Sequence, residues 1–110
     1  MVGEVRRFSG SVSVPKKSTV KVTILAAEGE VVKLTTITAR MNAGSDGSWV
    51  ELRITGGSII KRESNGSPNL VWEGEFFIDD TNGIELVAYN AYFTDPPKPF
   101  YYAAQGVKIN

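Results

Sequence analysis

Apolar and polar residues alternate along most of this chain, and that period of two predicts half-buried β-strands. Val12 and Val14 alternate with Ser11 and Ser13 until Pro15-Lys16-Lys17 turns the chain. Val20, Val22 and Ile24 follow, separated by Lys21 and Thr23, and Glu28-Gly29-Glu30 makes the next turn. Val32 and Leu34 share one parity, whereas Ile37, Ala39 and Met41 share the other. A parity switch inside one run predicts a β-bulge near Thr35-Thr36. The Thr and Val content disfavours a helix there.

The second half continues the pattern. Asn42 to Ser48 reads as a loop. Val50, Leu52 and Ile54 alternate with Trp49, Glu51 and Arg53, and Gly56-Gly57 ends the run. Ser58 to Arg62 fits a short strand, and Glu63 to Asn69 a turn centred on Asn65-Gly66. Leu70, Trp72, Phe76 and Ile78 alternate with Val71, Glu73, Glu75 and Phe77, and Asp79 to Gly83 is predicted to close a hairpin. Ile84 to Phe93 is apolar on both parities, as expected of a central strand covered on both faces. Pro96, Pro97 and Pro99 impose an extended link before a last strand, Phe100 to Ile109.

Seven or eight strands at these spacings predict an all-β fold, a two-sheet antiparallel β-sandwich of jelly-roll-like form. The 110 residues fit a single domain spanning 1–110. Expected core positions are Val20, Val22, Ile24, Ile37, Val50, Leu52, Ile54, Trp72, Phe76, Ile78, Leu86, Val107 and Ile109. Tyr92 also falls on an inward parity.

Composition narrows the chemistry. The chain has no histidine and no cysteine. That excludes disulfides, thiolate sites and the Ser-His and Cys-His pairs of nucleophilic catalysis. No G-x-S-x-G elbow, P-loop or G-x-G-x-x-G fingerprint occurs. Glu73 and Glu75 share a strand face but lie opposite the apolar set, which marks a solvated face rather than an acid/base pair. Asp79 to Gly83 and the segment around Asp46 are rich in oxygen ligands, but without EF-hand spacing they read as turns. Asn65-Gly66-Ser67 is formally a glycosylation sequon and also reads as turn chemistry. The chain is therefore expected to be no enzyme, with no catalytic residue, cofactor or metal assigned.

Twelve basic and twelve acidic residues cancel, which argues against a nucleic-acid partner. No apolar run approaches the ~20 residues of a membrane helix. The start, MVGEVRRFSG, lacks a signal-peptide core, so the chain is either not secreted by that route or a mature or excised segment. Met1 to Lys21 carries Arg6, Arg7, Lys16, Lys17 and Lys21 against Glu4, whereas Glu63 to Pro97 carries seven acids and no base. Either the two stretches are neighbours within one fold, or the basic end of one copy meets the acidic face of another.

Trp49 and Phe77 lie on the outward, polar parity, and Tyr89, Phe93, Phe100 and Tyr102 are candidates to join them. These six form the expected patch. Loops cover it, or it is a subunit interface, or it is a platform for stacking on sugars. The Pro96–Pro99 spacing matches a P-x-x-P ligand, although a rigid strand connection explains it as well.

STVKVTILAAEGEVVKLTTITARM (Ser18 to Met41) resembles a pattern in small jelly-roll and sandwich proteins of virions. It is an alternating strand, an acidic Gly-containing turn and a long strand. NGIELVAYNAYF (Asn82 to Phe93) resembles the late jelly-roll strand that follows an N-G turn. Both patterns occur in capsid decoration, tail or spike proteins. The resemblance implies a virion location and a structural role, with self-association as trimers or pentamers or packing against other structural proteins. The resulting expectation is a non-enzymatic structural or interaction protein acting as a homo-oligomer. A carbohydrate-binding module using exposed aromatics is the alternative, and an accessory β-domain of a larger machine is a third.

Overall fold

The computed structural model describes residues 3–110. Among them the regular structure is eight strands: β1 (Val5–Val14), β2 (Ser18–Ile24), β3 (Val32–Met41), β4 (Trp49–Ile54), β5 (Ile59–Ser64), β6 (Asn69–Ile78), β7 (Ile84–Asn90) and β8 (Lys98–Lys108). The first strand pairs with the last, the second with the seventh, the third with the sixth and the fourth with the fifth, all antiparallel. The chain is thus doubled back on itself about the β4–β5 hairpin and then rolled. Pairing of β8 with β3 and of β7 with β4 completes two sheets, β1-β8-β3-β6 and β2-β7-β4-β5. Two four-stranded sheets nested in this way are a jelly roll.

Each sheet buries one face against the other. Val14, Ile24, Leu34, Ile37, Met41, Val50, Leu52, Leu70, Ile78, Leu86 and Phe100 fill the space between them. Val20, Val22, Trp72 and Phe76 pack against this core, and Ile54 is half-buried at its rim. Removing this apolar surface from water is the main force holding the layers together. The bulge lies between Leu34 and Thr36 in both pairings of β3. It resets the pleat, so Val32 and Leu34 point to the same inner side as Ile37, Ala39 and Met41.

Three expected core positions lie elsewhere. The inward set of β8 is Phe100, Tyr102, Ala104 and Gly106, so Val107 falls on the outer face in register with Val5 and Lys33. Gly106 is required where β8 crosses the bulge, because a Cβ there would meet Lys33 O at 2.1 Å and Leu34 Cα at 2.7 Å. Ile109 is exposed beyond the end of β8, and Tyr92 lies past the end of β7.

Every connection except β4–β5 crosses from one sheet to the other. The β1–β2 and β7–β8 connections meet at one end, where Lys17 N donates to Tyr92 O at 3.2 Å. The β3–β4 and β5–β6 connections also meet each other, Ala43 N donating to Gly66 O at 3.1 Å. Asp79–Gly83 is one of the crossings and not the expected hairpin. Its composition does make a tight turn: Asp79 Oδ1 accepts from Thr81 N at 2.8 Å and Asn82 N at 2.7 Å. The apolar faces of β6 and β7 nevertheless belong to opposite layers, and turn chemistry carries no information about layers.

Candidate functional site

The six candidate aromatics do not form one patch. Trp49 and Tyr89 meet on the outer face of the β2-β7-β4-β5 sheet, with ring centroids 5.9 Å apart. Phe77 is 56% exposed on the outer face of the other sheet. Phe93, 71% exposed, stacks on Tyr92 at 5.4 Å in the β7–β8 connection. Phe100 is fully buried and Tyr102 packs against the core beside it, so these two are no part of any surface patch. The start of β8 is apolar on both parities, and alternation alone does not say which set turns inward.

The Trp49–Tyr89 pair borders a charged cluster that alternation had marked only as a polar face. Register places Lys21, Val87, Glu51 and Arg62 in one row across the four strands, with Thr19, Tyr89, Trp49 and Ser64 in the row beside it. Glu51 points outward from the sheet, yet its side chain is 0% exposed. Arg53 Nε donates to Glu51 Oε2. Arg62 Nε lies 2.9 Å from Oε1. That N–H is not aimed at the oxygen, so Oε1 is held by charge and accepts no hydrogen bond. The Arg62 guanidinium also stacks on Trp49, 4.0 Å from the ring centroid. Both arginines therefore engage the carboxylate through Nε. Their terminal nitrogens make no hydrogen bond among the described residues.

The outer face of β1-β8-β3-β6 exposes more apolar side chains. Its rows across the strands are Val5–Val107–Lys33–Phe77, Arg7–Gln105–Thr36–Glu73, Ser9–Ala103–Thr38–Val71 and Ser11–Tyr101–Arg40–Asn69. Val5, Val71, Phe77 and Tyr101 are all exposed here. Arg40 lies over the Tyr101 ring at 4.7 Å, and Lys33 meets Glu75 at 3.7 Å. Arg7 hydrogen-bonds only to Gln105, at 3.0 Å, and Glu73 has no ion pair among the described residues.

Other charges are settled locally. Lys21 pairs with Glu85 at 3.4 Å and Lys16 with Asp95 at 3.6 Å, so part of the basic N-terminal stretch does neighbour the acidic one. Arg6 hydrogen-bonds to Glu30 at 2.7 Å and meets Glu4 at 2.8 Å, and it holds both carboxyls below the usual range. The amides of Asn82 and then Thr81 lower Asp79 in the same way. A depression of about 150 Å³ beside the β3–β4 and β5–β6 connections is lined by Arg40, Asn42, Ser67 and Asn69, which is small for a ligand pocket. Among the described residues no three acidic side chains converge to hold a metal. Comparison with known proteins gives no relative: the chain matches no family model and no curated protein.

Proposed function

We propose that this protein is a non-enzymatic assembly module that pairs with a second copy of itself through the outer face of the β1-β8-β3-β6 sheet. The observation that carries this reading is the order of residues along the rows of that face. Val5 and Phe77 occupy opposite ends of one row, and Arg7 and Glu73 opposite ends of the next. A two-fold axis running along the strands, in the plane between two such faces, exchanges the edges. Val5 of each copy then faces Phe77 of the other, and each Arg7 faces a Glu73. Tyr101 faces Arg40 by the same operation. A self-complementary patch of this kind is what a two-fold interface requires.

The dimensions agree. Four strands about 4.8 Å apart and about 30 Å long give a face of about 500–600 Å². That is below the roughly 800 Å² per partner of a standard interface, but over both copies it reaches the roughly 1,000 Å² that a specific contact needs. Ala103 and Thr38 are small residues side by side on the two central strands, and Ser9 and Ser11 are small on the β1 edge. An assembly role is also what the resemblance of Ser18–Met41 to virion proteins implies.

Sedimentation equilibrium on the native protein and on Phe77→Asp and Glu73→Lys tests the reading. The expected result is a dimer that Phe77→Asp dissociates and Glu73→Lys weakens, with Arg7→Glu/Glu73→Lys restoring it. A monomer at high micromolar concentration overturns assembly altogether. A trimer or pentamer overturns the two-fold arrangement.

A further inference from the structure

From the opposite sheet we infer a second binding site: Arg53 and Arg62, clamped by Glu51, form a receptor for the oxyanion groups of an acidic glycan. It stands on observations separate from those behind self-association, and neither depends on the other.

The central observation is the placement of Glu51. A carboxylate on the outer face of a sheet ordinarily reaches into water. This one is fully buried beneath two guanidinium groups, and one of its oxygens accepts no hydrogen bond. Burying an ion in this way is costly, and it gives no more stability than an apolar side chain of similar size. What it does achieve is orientation. Arg53 is gripped by an Nε hydrogen bond, and Arg62 is held between its ion contact to Oε1 and the Trp49 ring beneath its guanidinium. The rigid fork of terminal N–H groups on each arginine donates no hydrogen bond. Such forks match the paired oxygens of a carboxylate or sulfate. Glu85 stands in register beside Arg53 but is paired with Lys21, so three bases against two carboxylates leave this cluster with one net positive charge, which favours an anion.

The surroundings identify what carries the anion. Tyr89 stands beside Trp49, whose ring carries Arg62, and its ring is the apolar surface next to the Arg62 fork on which the carbon face of a pyranose can rest. The hydroxyls of Thr19 and Ser64 end the same row. The face is open rather than enclosed, which suits an extended oligosaccharide. A nucleic acid needs many phosphate contacts from a basic surface. Here Lys21 is already paired with Glu85, and the chain as a whole carries no net charge. Sulfate esters and uronate carboxylates offer the forks the same chemistry, and the experiment separates them.

The test is a ¹H–¹⁵N NMR titration of the whole protein, following the Trp49 indole N–H and the Nε–H signals of Arg53 and Arg62. The probes are a heparin-derived tetrasaccharide, a tetragalacturonate, neutral cellotetraose, sodium sulfate and a single-stranded oligonucleotide. The expected result is that one or both acidic tetrasaccharides move these signals while cellotetraose does not. Arg53→Lys and Arg62→Lys keep the charge beside Glu51 but remove the fork, and each should weaken binding roughly tenfold. The wild-type shifts must map to β4, β5 and β7, which tests the location even if a variant fails to fold. Absence of shifts up to roughly 10 mM tetrasaccharide, or shifts confined to other strands, overturns the site. Sodium sulfate binding as tightly as the tetrasaccharides, or the oligonucleotide binding more tightly, overturns the glycan as its ligand.

Discussion

Arg62 lies over Trp49, one strand away, with its guanidinium carbon 4.0 Å from the ring centroid. Both residues belong to the one pair of consecutive strands that hydrogen-bond to each other among the described residues, and both touch or border Glu51. The stack is partly open to water, so its own contribution is modest. A double-mutant cycle with Trp49→Leu and Arg62→Ala should give a coupling energy of about 0.5–1 kcal/mol by urea unfolding.

Removing the carboxylate from the same cluster has a larger effect. Glu51→Ala leaves two guanidinium groups facing each other over a void. Breaking a fully buried ion pair costs roughly 3–5 kcal/mol. Arg53 and Arg62 reach solvent, so about 2–3 kcal/mol is expected here. Glu51→Ala should therefore lose far more than Arg62→Ala in the same unfolding experiment.

Phe100 and Phe77 were grouped together by alternation, and the fold separates them. Phe100→Ala empties a core site and should cost roughly 3–5 kcal/mol, in line with Leu52→Ala or Trp72→Ala at about 2–5 kcal/mol. Phe77→Ala should shift stability by no more than about 0.5 kcal/mol while weakening self-association. Thermal unfolding at low concentration, run beside sedimentation, distinguishes the two.

Gly106 and Gly29 make a second contrasting pair. A Cβ at Gly106 collides with the backbone of β3, so Gly106→Ala must push β8 off the bulge and should cost roughly 3 kcal/mol or more. Gly29 has φ +77 in open space. Gly29→Ala is strained only by its backbone conformation and should cost about 1 kcal/mol. Denaturant midpoints for the two variants provide the comparison.

Acid should weaken the fold through a defined group of carboxyls. Arg6 holds Glu30 and Glu4 below the usual range, and turn amides hold Asp79 there. A carboxyl whose folded value is depressed stabilises the fold fully above its unfolded value, near pH 4–4.5. That contribution is lost as the pH falls through the folded value. The thermal midpoint should drop on acidification through this window, and Arg6→Gln should make the drop shallower.

Much of the fold was legible because alternation is local. The strands from Val20 to Ile24 and from Val50 to Ile54, and the bulge at Thr35-Thr36, follow from parity alone. The assignment of β6 and β7 to different layers was not legible, since Asp79–Gly83 has the same composition whether it closes a hairpin or crosses a sandwich. Trp49 and Phe77 lie outward as their parity predicts, because charged residues (Glu51 and Arg53, Glu73 and Glu75) share that parity and mark it as the outer one. The Glu51 clamp was missed because it depends on register: a shift between Leu52 and Arg53 decides which β5 residue stands opposite Glu51. The signal available was Glu51 and Arg53 on one parity, followed across the Gly56-Gly57 turn by Arg62 at hairpin distance.

The doubling of the chain about β4–β5 also bears on how it is made. As the polypeptide leaves the ribosome, β1 emerges before the other seven strands, and its one hydrogen-bonding neighbour, β8, emerges after them. Until then Val12, Val14 and their neighbours form an unpaired ribbon that can join a nascent neighbour instead. β1 is therefore the strand of this sheet whose single pairing waits longest on the ribosome.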